Sequence, residues 1–264
     1  MHIGKPRAAI TKICTAKADS VEVRGRDLCG DLMGRLGFTE YFYLLLTGRE
    51  PTKDQRFFLD LLLIAIAEHG MMPTVQAARM TLAANPGSLE GALAAGLLGC
   101  GPVLVGTSEL CGKLLVTALS RVAAGEDADA AAYDLIKGIR ARGEKVPGFG
   151  HPVHRSTDPR AERILELADA RQVAGPNVDM ARRMGRAAAD VWGRPLTMNV
   201  SMPIAAVLLD LKFPAGMIKA IPLLARTGGI LAHLAEEQKN PVGFVMAAHA
   251  ESAVSYERGD DSGV

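Results

Sequence analysis

Residues 145–160 read Lys145-Val146-Pro147-Gly148-Phe149-Gly150-His151-Pro152-Val153-His154-Arg155-Ser156-Thr157-Asp158-Pro159-Arg160, a segment that mixes glycines, histidines and arginines. Glycine at 148 and 150 removes the Cβ that would hold a ligand away from the backbone. Arg155 and Arg160 keep their charge at neutral pH, and a guanidinium grips a carboxylate or phosphate through paired hydrogen bonds. His151 titrates near neutrality and can polarise an oxygen or move its proton. Together these residue types predict a loop that receives an anionic, oxygen-rich ligand. The spacing of His151 and His154 could serve a metal, but no third ligand accompanies them and no metal site is expected. The cysteines, at 14, 29, 100 and 111, show no metal-binding spacing and are expected as buried thiols without disulfides.

Such a loop needs a folded scaffold, and 264 residues at 48% hydrophobic and 22% charged composition can form one large domain or two smaller ones. The formal net charge of +1 supplies no general attraction to nucleic acid or an anionic membrane, so anion binding must come from locally placed Arg and Lys. Arg182, Arg183 and Arg186 suit one solvated helix face, and few aromatics are present for base stacking, so no nucleic-acid partner is expected. The longest apolar run, residues 61–67, is far shorter than the ~20 residues a membrane helix needs, and the N-terminus lacks the apolar stretch of a secretory signal. No membrane association is expected, and the cytoplasm is the expected compartment.

Alternation of Ile10, Cys14, Val21 and Val23 with polar residues, around an Ala18-Asp19-Ser20 turn, predicts a short hairpin within residues 8–26. Leu28, Leu32 and Leu36 then repeat at helical spacing. Helical periodicity continues over 38–46, 55–68, 75–84, 89–98, 109–124, 127–142, 159–170, 178–192, 202–211 and 216–238, with Gly, Pro or Asn at the breaks. No repeat of fixed period appears. The chain is therefore read as all-α with a short N-terminal β-hairpin. Alanine and glycine crowd segments such as Gly91-Ala92-Leu93-Ala94-Ala95-Gly96, which lets helices pack closely, first of all within the chain.

The 145–160 segment resembles the signature loop of the citrate synthase superfamily, a Pro-Gly-aromatic-Gly-His run followed by a basic residue and Asp-Pro-Arg. Other segments resemble the same superfamily in order: Val23-Arg24-Gly25-Arg26-Asp27-Leu28, then Tyr43-Leu44-Leu45-Leu46-Thr47-Gly48-Arg49-Glu50-Pro51-Thr52, then Ala67-Glu68-His69-Gly70, Asn199-Val200, and Ala225-Arg226-Thr227-Gly228-Gly229 with His233 beyond. Ordered motifs along nearly the whole chain are more specific than any one alone. The short length and the motif forms are most similar to stand-alone citryl-CoA lyases and the citrate-synthase-like module of ATP citrate lyase. The resemblance implies an all-α fold with a large helical domain formed by residues 1–105 and 212–264 and an inserted small CoA-binding domain at 106–211. It also implies a homodimer or higher homo-oligomer, and coenzyme A as thioester substrate or product. The implied reaction joins or splits the bond between the methyl carbon of acetyl-CoA and the keto carbon of oxaloacetate.

Carried onto this chain, the resemblance makes Arg160 and Arg226 the clamps for the carboxylates of a di- or tricarboxylate. His69 and His151 become the partners of its keto or hydroxyl oxygen. Lys145, Val146, Pro147, Gly148, Phe149, Gly150 and Arg155 become the CoA loop, with Arg194 adding charge. Two departures stand out. Gly101-Pro102-Val103-Leu104-Val105-Gly106 stands where citrate synthases read Gly-Pro-Leu-His-Gly-Gly, so Leu104 replaces the histidine that stabilises the enolate, a histidine that the lyase module also lacks. Asn199-Val200-Ser201 stands where the family reads Asn-Val-Asp, so Ser201 occupies the place of the carboxylate base. A serine hydroxyl can hydrogen-bond a thioester oxygen or water but cannot accept a proton at neutral pH as a carboxylate does. Glu68 and Glu109 are the candidate substitutes. The expected activity is a lyase that cleaves citryl-CoA, or a related 3-hydroxyacyl-CoA, to acetyl-CoA and oxaloacetate with His151, His69 and Ser201 at the reacting atoms. An acyltransferase of citrate synthase type, condensing an acyl-CoA with a 2-oxoacid, and a non-catalytic binder of CoA esters stay open beside it.

Overall fold

The computed structural model describes residues 9–150 and 157–257; His151, His154 and Arg155 lie outside the described residues. The hairpin forms as its alternation predicts, with β1 (Cys14–Ala16) antiparallel to β2 (Val21–Val23), and a third strand, β3 (Arg26–Asp27), pairs with β2. The Leu28, Leu32, Leu36 spacing does not yield an α-helix. Asp27 caps Gly30 at 2.5 Å and the chain makes one π-helical turn over Leu28–Leu32, before Gly34 with φ +78° ends the run. Val23, Leu32 and Leu44 form a small core there, the last from α1 (Phe38–Thr47). The chain divides into two compact units, Met1–Asp60 and Leu61–Val264, the division falling inside α2 (Lys53–Ala67).

Within the second unit the helices pack in two groups. α3 (Pro73–Ala84), α4 (Leu89–Leu98), α10 (Ala220–Glu237) and α11 (Gly243–Ala253) form one, in which Val75, Ala78, Leu82, Ala92, Ile230 and Leu234 bury a common core. α5 (Thr107–Ala123), α6 (Ala128–Ala141), α7 (Pro159–Ala170), α8 (Pro176–Trp192) and α9 (Ser201–Asp210) form the other. Pro opens α3, α7 and α8, as the breaks read from the sequence allow, and aspartates not read there, Asp127 and Asp158, cap α6 and α7. Asp210, at the end of α9, accepts from the backbone N–H groups of Gly175, Asn177 and Val178 and so pins the start of α8 to it.

Three further features differ from the sequence expectations. α11 follows the last periodic segment and buries chiefly Gly243, leaving Phe244 and Val245 exposed, so no apolar stripe announces it. Cys14 and Cys29 are exposed, whereas Cys100 and Cys111 are buried thiols. The stretch Ala215–Glu237, which ends in α10, is long and apolar enough to cross a membrane by length and composition alone. It nevertheless carries Arg226, His233, Glu236 and Glu237, and it packs on α3 and α4 as a core helix.

Candidate active site

A cavity of about 1120 Å³ opens within the second unit, and residues 145–150 line it. That loop is held by antiparallel pairing with the strand-like segment before α9. Gly150 N donates to Thr197 O at 2.7 Å, Asn199 N to Gly148 O at 2.9 Å, and the Asn199 side-chain amide to Gly150 O at 2.9 Å. Val146 and Phe149 are buried anchors, whereas Lys145 is exposed. Gly148 has φ +83°, and a Cβ there would stand 2.8 Å from both Cys111 Sγ and Met202 Cβ. Only glycine fits that backbone in that space. Arg140 and Trp192 line the same cavity, the guanidinium 5.4 Å from the indole centroid.

The arginines of the cavity are prepared differently. Arg160 lies in the first turn of α7 and is held by the wholly buried Asp158, which accepts from Arg160 Nε at 3.0 Å and Nη2 at 2.9 Å. Asp158 also accepts from Val200 N at 3.0 Å, which ties α7 to the turn entering α9. Burial pushes the Asp158 carboxyl up, but Arg160 and the Val200 and Arg160 N–H groups outweigh it and leave it below the ordinary carboxylate range. Arg226, on α10, is only 4% exposed, and its Nε and Nη1 have no hydrogen-bond partner among the described residues. Burial lowers this guanidinium from its ordinary value, Glu68 and Cys100 work against that, and Arg160 adds to it. An arginine still keeps its proton, and each buried donor left without an acceptor costs about 1–3 kcal/mol. His69, just past the end of α2, lines the cavity with both arginines. Arg160, Arg226 and His69 on one cavity, with donors of the buried Arg226 left open among the described residues, suit a ligand that carries several carboxylates.

Residues 7–243 match the family described as citrate synthase, C-terminal domain. The chain belongs to the citrate synthase family. It is 32% identical over 197 residues to putative citrate synthase 2 of Mycobacterium tuberculosis, matching 72% of this chain and 50% of that relative. It thus spans about half the length of the curated relatives it matches. Among solved structures, citryl-CoA lyase from Hydrogenobacter thermophilus superposes with a TM-score of 0.83 at 25% identity, covering 98% of both chains. ATP citrate lyase from Methanothrix soehngenii, solved with citrate and coenzyme A, superposes with a TM-score of 0.76 at 18% identity, over 98% of this chain and 43% of that one. The all-α architecture with its small sheet is therefore a citrate synthase-like fold.

Against that family the departures in sequence become departures in the cavity wall, because Leu104 and Ser201 both line it. Leu104 stands in the short loop after α4, beside Val105 at φ +71°, a left-handed conformation that a β-branched residue rarely adopts. Ser201 opens α9, its N–H donating to Asn199 Oδ1 at 3.1 Å. Neither candidate substitute acid lines the cavity. Glu68 spends its carboxylate on His69 N, Gly70 N and His233, and Glu109 is paired with Lys113 at 2.7 Å. The carboxylate that does line the cavity among the described residues is Glu144, chelated by Arg142 and held below the ordinary range by that pairing.

Of the site residues named from sequence, the structure brings Lys145, Val146, Pro147, Gly148, Phe149, Gly150, His69, Arg160, Arg226 and Ser201 to one cavity. Arg194 is exposed just past the end of α8 and does not line it. His151 and Arg155 fall on residues outside the description. Sequence reasoning passed over Arg140, Trp192, Asp158 and Ser108. Ser108 is 1% exposed, lines the cavity, and has a hydroxyl with no hydrogen-bond partner among the described residues. Asp158 alone carried a readable signal, since an aspartate just before Pro at a helix start reads as a cap.

Proposed function

We propose that this chain is a citryl-CoA lyase-type enzyme that cleaves citryl-CoA, or a related 3-hydroxyacyl-CoA, to acetyl-CoA and oxaloacetate. The observation that carries the reading is the buried Arg226, its Nε and Nη1 without a hydrogen-bond partner among the described residues, on the same cavity as Arg160, His69 and the Gly148–Gly150 backbone. The full-length match to citryl-CoA lyase supports it. In this reading Arg226 and Arg160 hold the carboxylates of the citryl group, and His69 with His151 faces its hydroxyl. As that hydroxyl loses its proton, the carbonyl of oxaloacetate forms and the carbon–carbon bond breaks. Its electron pair passes to the thioester as an enolate, which takes up a proton to become acetyl-CoA. Ser201 hydrogen-bonds the thioester oxygen. Residues 145–150 and Arg155 hold CoA, with Arg140 and Trp192 added from the structure in place of Arg194.

The helix group α5 to α9 supports assigning residues 106–211 as the small CoA-binding domain. A cytoplasmic homodimer completes the proposal; Leu98 and Val103, 87% and 88% exposed, are apolar enough to be covered by a second copy. A second reading, binding of CoA esters without turnover, is favoured by Ser201, which puts a hydroxyl on the cavity wall where the lyase reading calls for a carboxylate. Product analysis of the pure protein with citryl-CoA, and with acetyl-CoA plus a panel of 2-oxoacids, separates the readings. Acetyl-CoA and oxaloacetate in equal amounts from citryl-CoA supports the lyase. Net condensation assigns the synthase direction, and binding without product assigns the non-catalytic relative.

A further inference from the structure

His69 stands just beyond the end of α2, and a neighbouring side chain holds its backbone N–H. Glu68 Oε1 accepts from His69 N at 2.7 Å and also from Gly70 N. Glu68 Oε2 lies 3.0 Å from His233 Nε2, and His233 Nδ1 lies 3.3 Å from Arg79 Nη1. Arg79, on α3, is 3% exposed; its Nε meets Glu237 at 2.6 Å and its Nη1 meets Glu236 at 2.7 Å. Its Nη2 donates to Asn240 O at 3.2 Å. Glu237 is itself buried and accepts from the N–H groups of Val242 and Gly243.

These contacts choose the state of the imidazole. A guanidinium only donates, so the ring nitrogen facing Arg79 must be the acceptor. The hydrogen of a neutral ring then sits on Nε2 and is donated to Glu68. A doubly protonated ring would set an N–H against the N–H of Arg79. α10 reaches this position because residue 229 is glycine: a Cβ there would stand 2.1 Å from the carbonyl oxygen of Ala67. The Glu68 carboxylate is also the first of the charges that offset the burial of Arg226.

We propose that Arg79, His233 and Glu68 form a positioning relay, in which Arg79 fixes His233 as its neutral Nε2–H tautomer and His233 fixes the carboxylate that aims His69. The relay rests on the reading of His69 and Arg226 as substrate-binding groups. It predicts an asymmetry: disturbing His233 weakens the tricarboxylate and spares CoA. His233→Gln keeps the pattern, because an amide N–H can donate to Glu68 while the amide oxygen accepts from Arg79. His233→Leu removes both.

The test combines calorimetry of citrate and of CoA with histidine-15N NMR of the full chain. Expected are an Nε2–H tautomer for His233 at pH 7.5 and citrate binding weakened about tenfold in His233→Leu. CoA affinity should stay within about twofold of the parent, and His233→Gln within about threefold for both ligands. An Nδ1–H tautomer, or a folded His233→Leu protein with parental citrate affinity and unshifted His69 ring resonances, overturns the relay. If the parent binds no citrate, the functional reading fails. The relay is then judged on the tautomer and on the His69 resonances, which should move in His233→Leu and hold in His233→Gln. If His233→Leu does not fold, the tautomer of the parent and the behaviour of His233→Gln decide.

Discussion

Two stretches of the cavity wall meet the same demand in opposite ways. In the 145–150 loop the backbone turns into the left-handed region at Gly148, with the residue type that does so without strain, and three hydrogen bonds to residues 197–199 hold it. In the 101–106 loop the chain enters the same region at Val105, beside a leucine at the position where the family's synthases place a histidine. The same contrast separates the basic groups from the acidic ones. Arg160 is locked by a buried aspartate and Arg226 waits with open donors, while Ser201 stands where a carboxylate is expected. Arg160 and the 145–150 loop, proposed to bind, are held by a buried carboxylate and by backbone hydrogen bonds, whereas at the position proposed for the base the described residues offer a serine.

The largest effect is expected at Ser201. Ser201→Asp restores a carboxylate at the N-terminal end of α9, where the helix dipole favours it, and should raise the rate of citryl-CoA cleavage by about a hundredfold. Stopped-flow measurement of acetyl-CoA release checks this, and an unchanged rate would place the base elsewhere. Arg226→Met breaks the binding half from the other side. Citrate affinity should fall about a hundredfold, yet the free protein should gain about 1–3 kcal/mol, because a buried guanidinium whose Nε and Nη1 lack acceptors among the described residues is replaced by an apolar chain of similar reach. Denaturant melts with and without citrate read both effects. Loss of stability in the free variant would mean that Arg226 has an acceptor.

Asp158→Ala should cost about 3–5 kcal/mol in the same melts, since it strips a buried carboxylate from Arg160 and from the Val200 N–H. The related pH effect follows from the direction of the shifts. Asp158 and Glu237 have carboxyls held below their ordinary values of 3.8 and 4.5, Asp158 by Arg160 and Glu237 by Arg79, each against the opposing push of burial. Groups depressed on folding stabilise the protein above those ordinary values, and that contribution is lost as pH falls through the lower, folded ones. Unfolding midpoints should therefore hold steady near neutrality and drop steeply below about pH 4, less so in Asp158→Ala. The smallest expected effect is at the other loop: Val105→Gly should relieve left-handed strain and leave stability within about 1 kcal/mol of the parent, or above it. Gly148→Ala, in contrast, should cost more and weaken CoA. Trp192 is the one tryptophan of the chain and lines the cavity, so its fluorescence offers a direct titration of CoA for these variants.

Much of this was legible in the sequence because helix ends carry their own chemistry. The helices read over 89–98 and 159–170 start in the structure at Leu89 and Pro159, where Ser88 and Asp158 cap them. Leu28, Leu32 and Leu36 misled because a side-chain cap from Asp27 and a left-handed Gly34 decide that stretch, and spacing alone does not register either. α11 was invisible because its apolar side chains do not share a face. That residues 145–150, Arg160 and Arg226 share one cavity was legible from their motifs, but the proposed relay was not: Arg79 and Glu237 are 158 residues apart, and nothing in the spacing of either reports their meeting.

The central claim is that this cavity binds a polycarboxyl CoA thioester tightly and cleaves it with a reduced set of proton-moving groups. Its most direct test mixes citryl-CoA with the pure protein and follows bound thioester, acetyl-CoA and oxaloacetate in one sample. The account predicts saturable binding that depends on Arg226, followed by slow release of acetyl-CoA and oxaloacetate in equal amounts. Citryl-CoA that fails to bind, or that stays bound and intact in the parent and in Ser201→Asp alike, would contradict it.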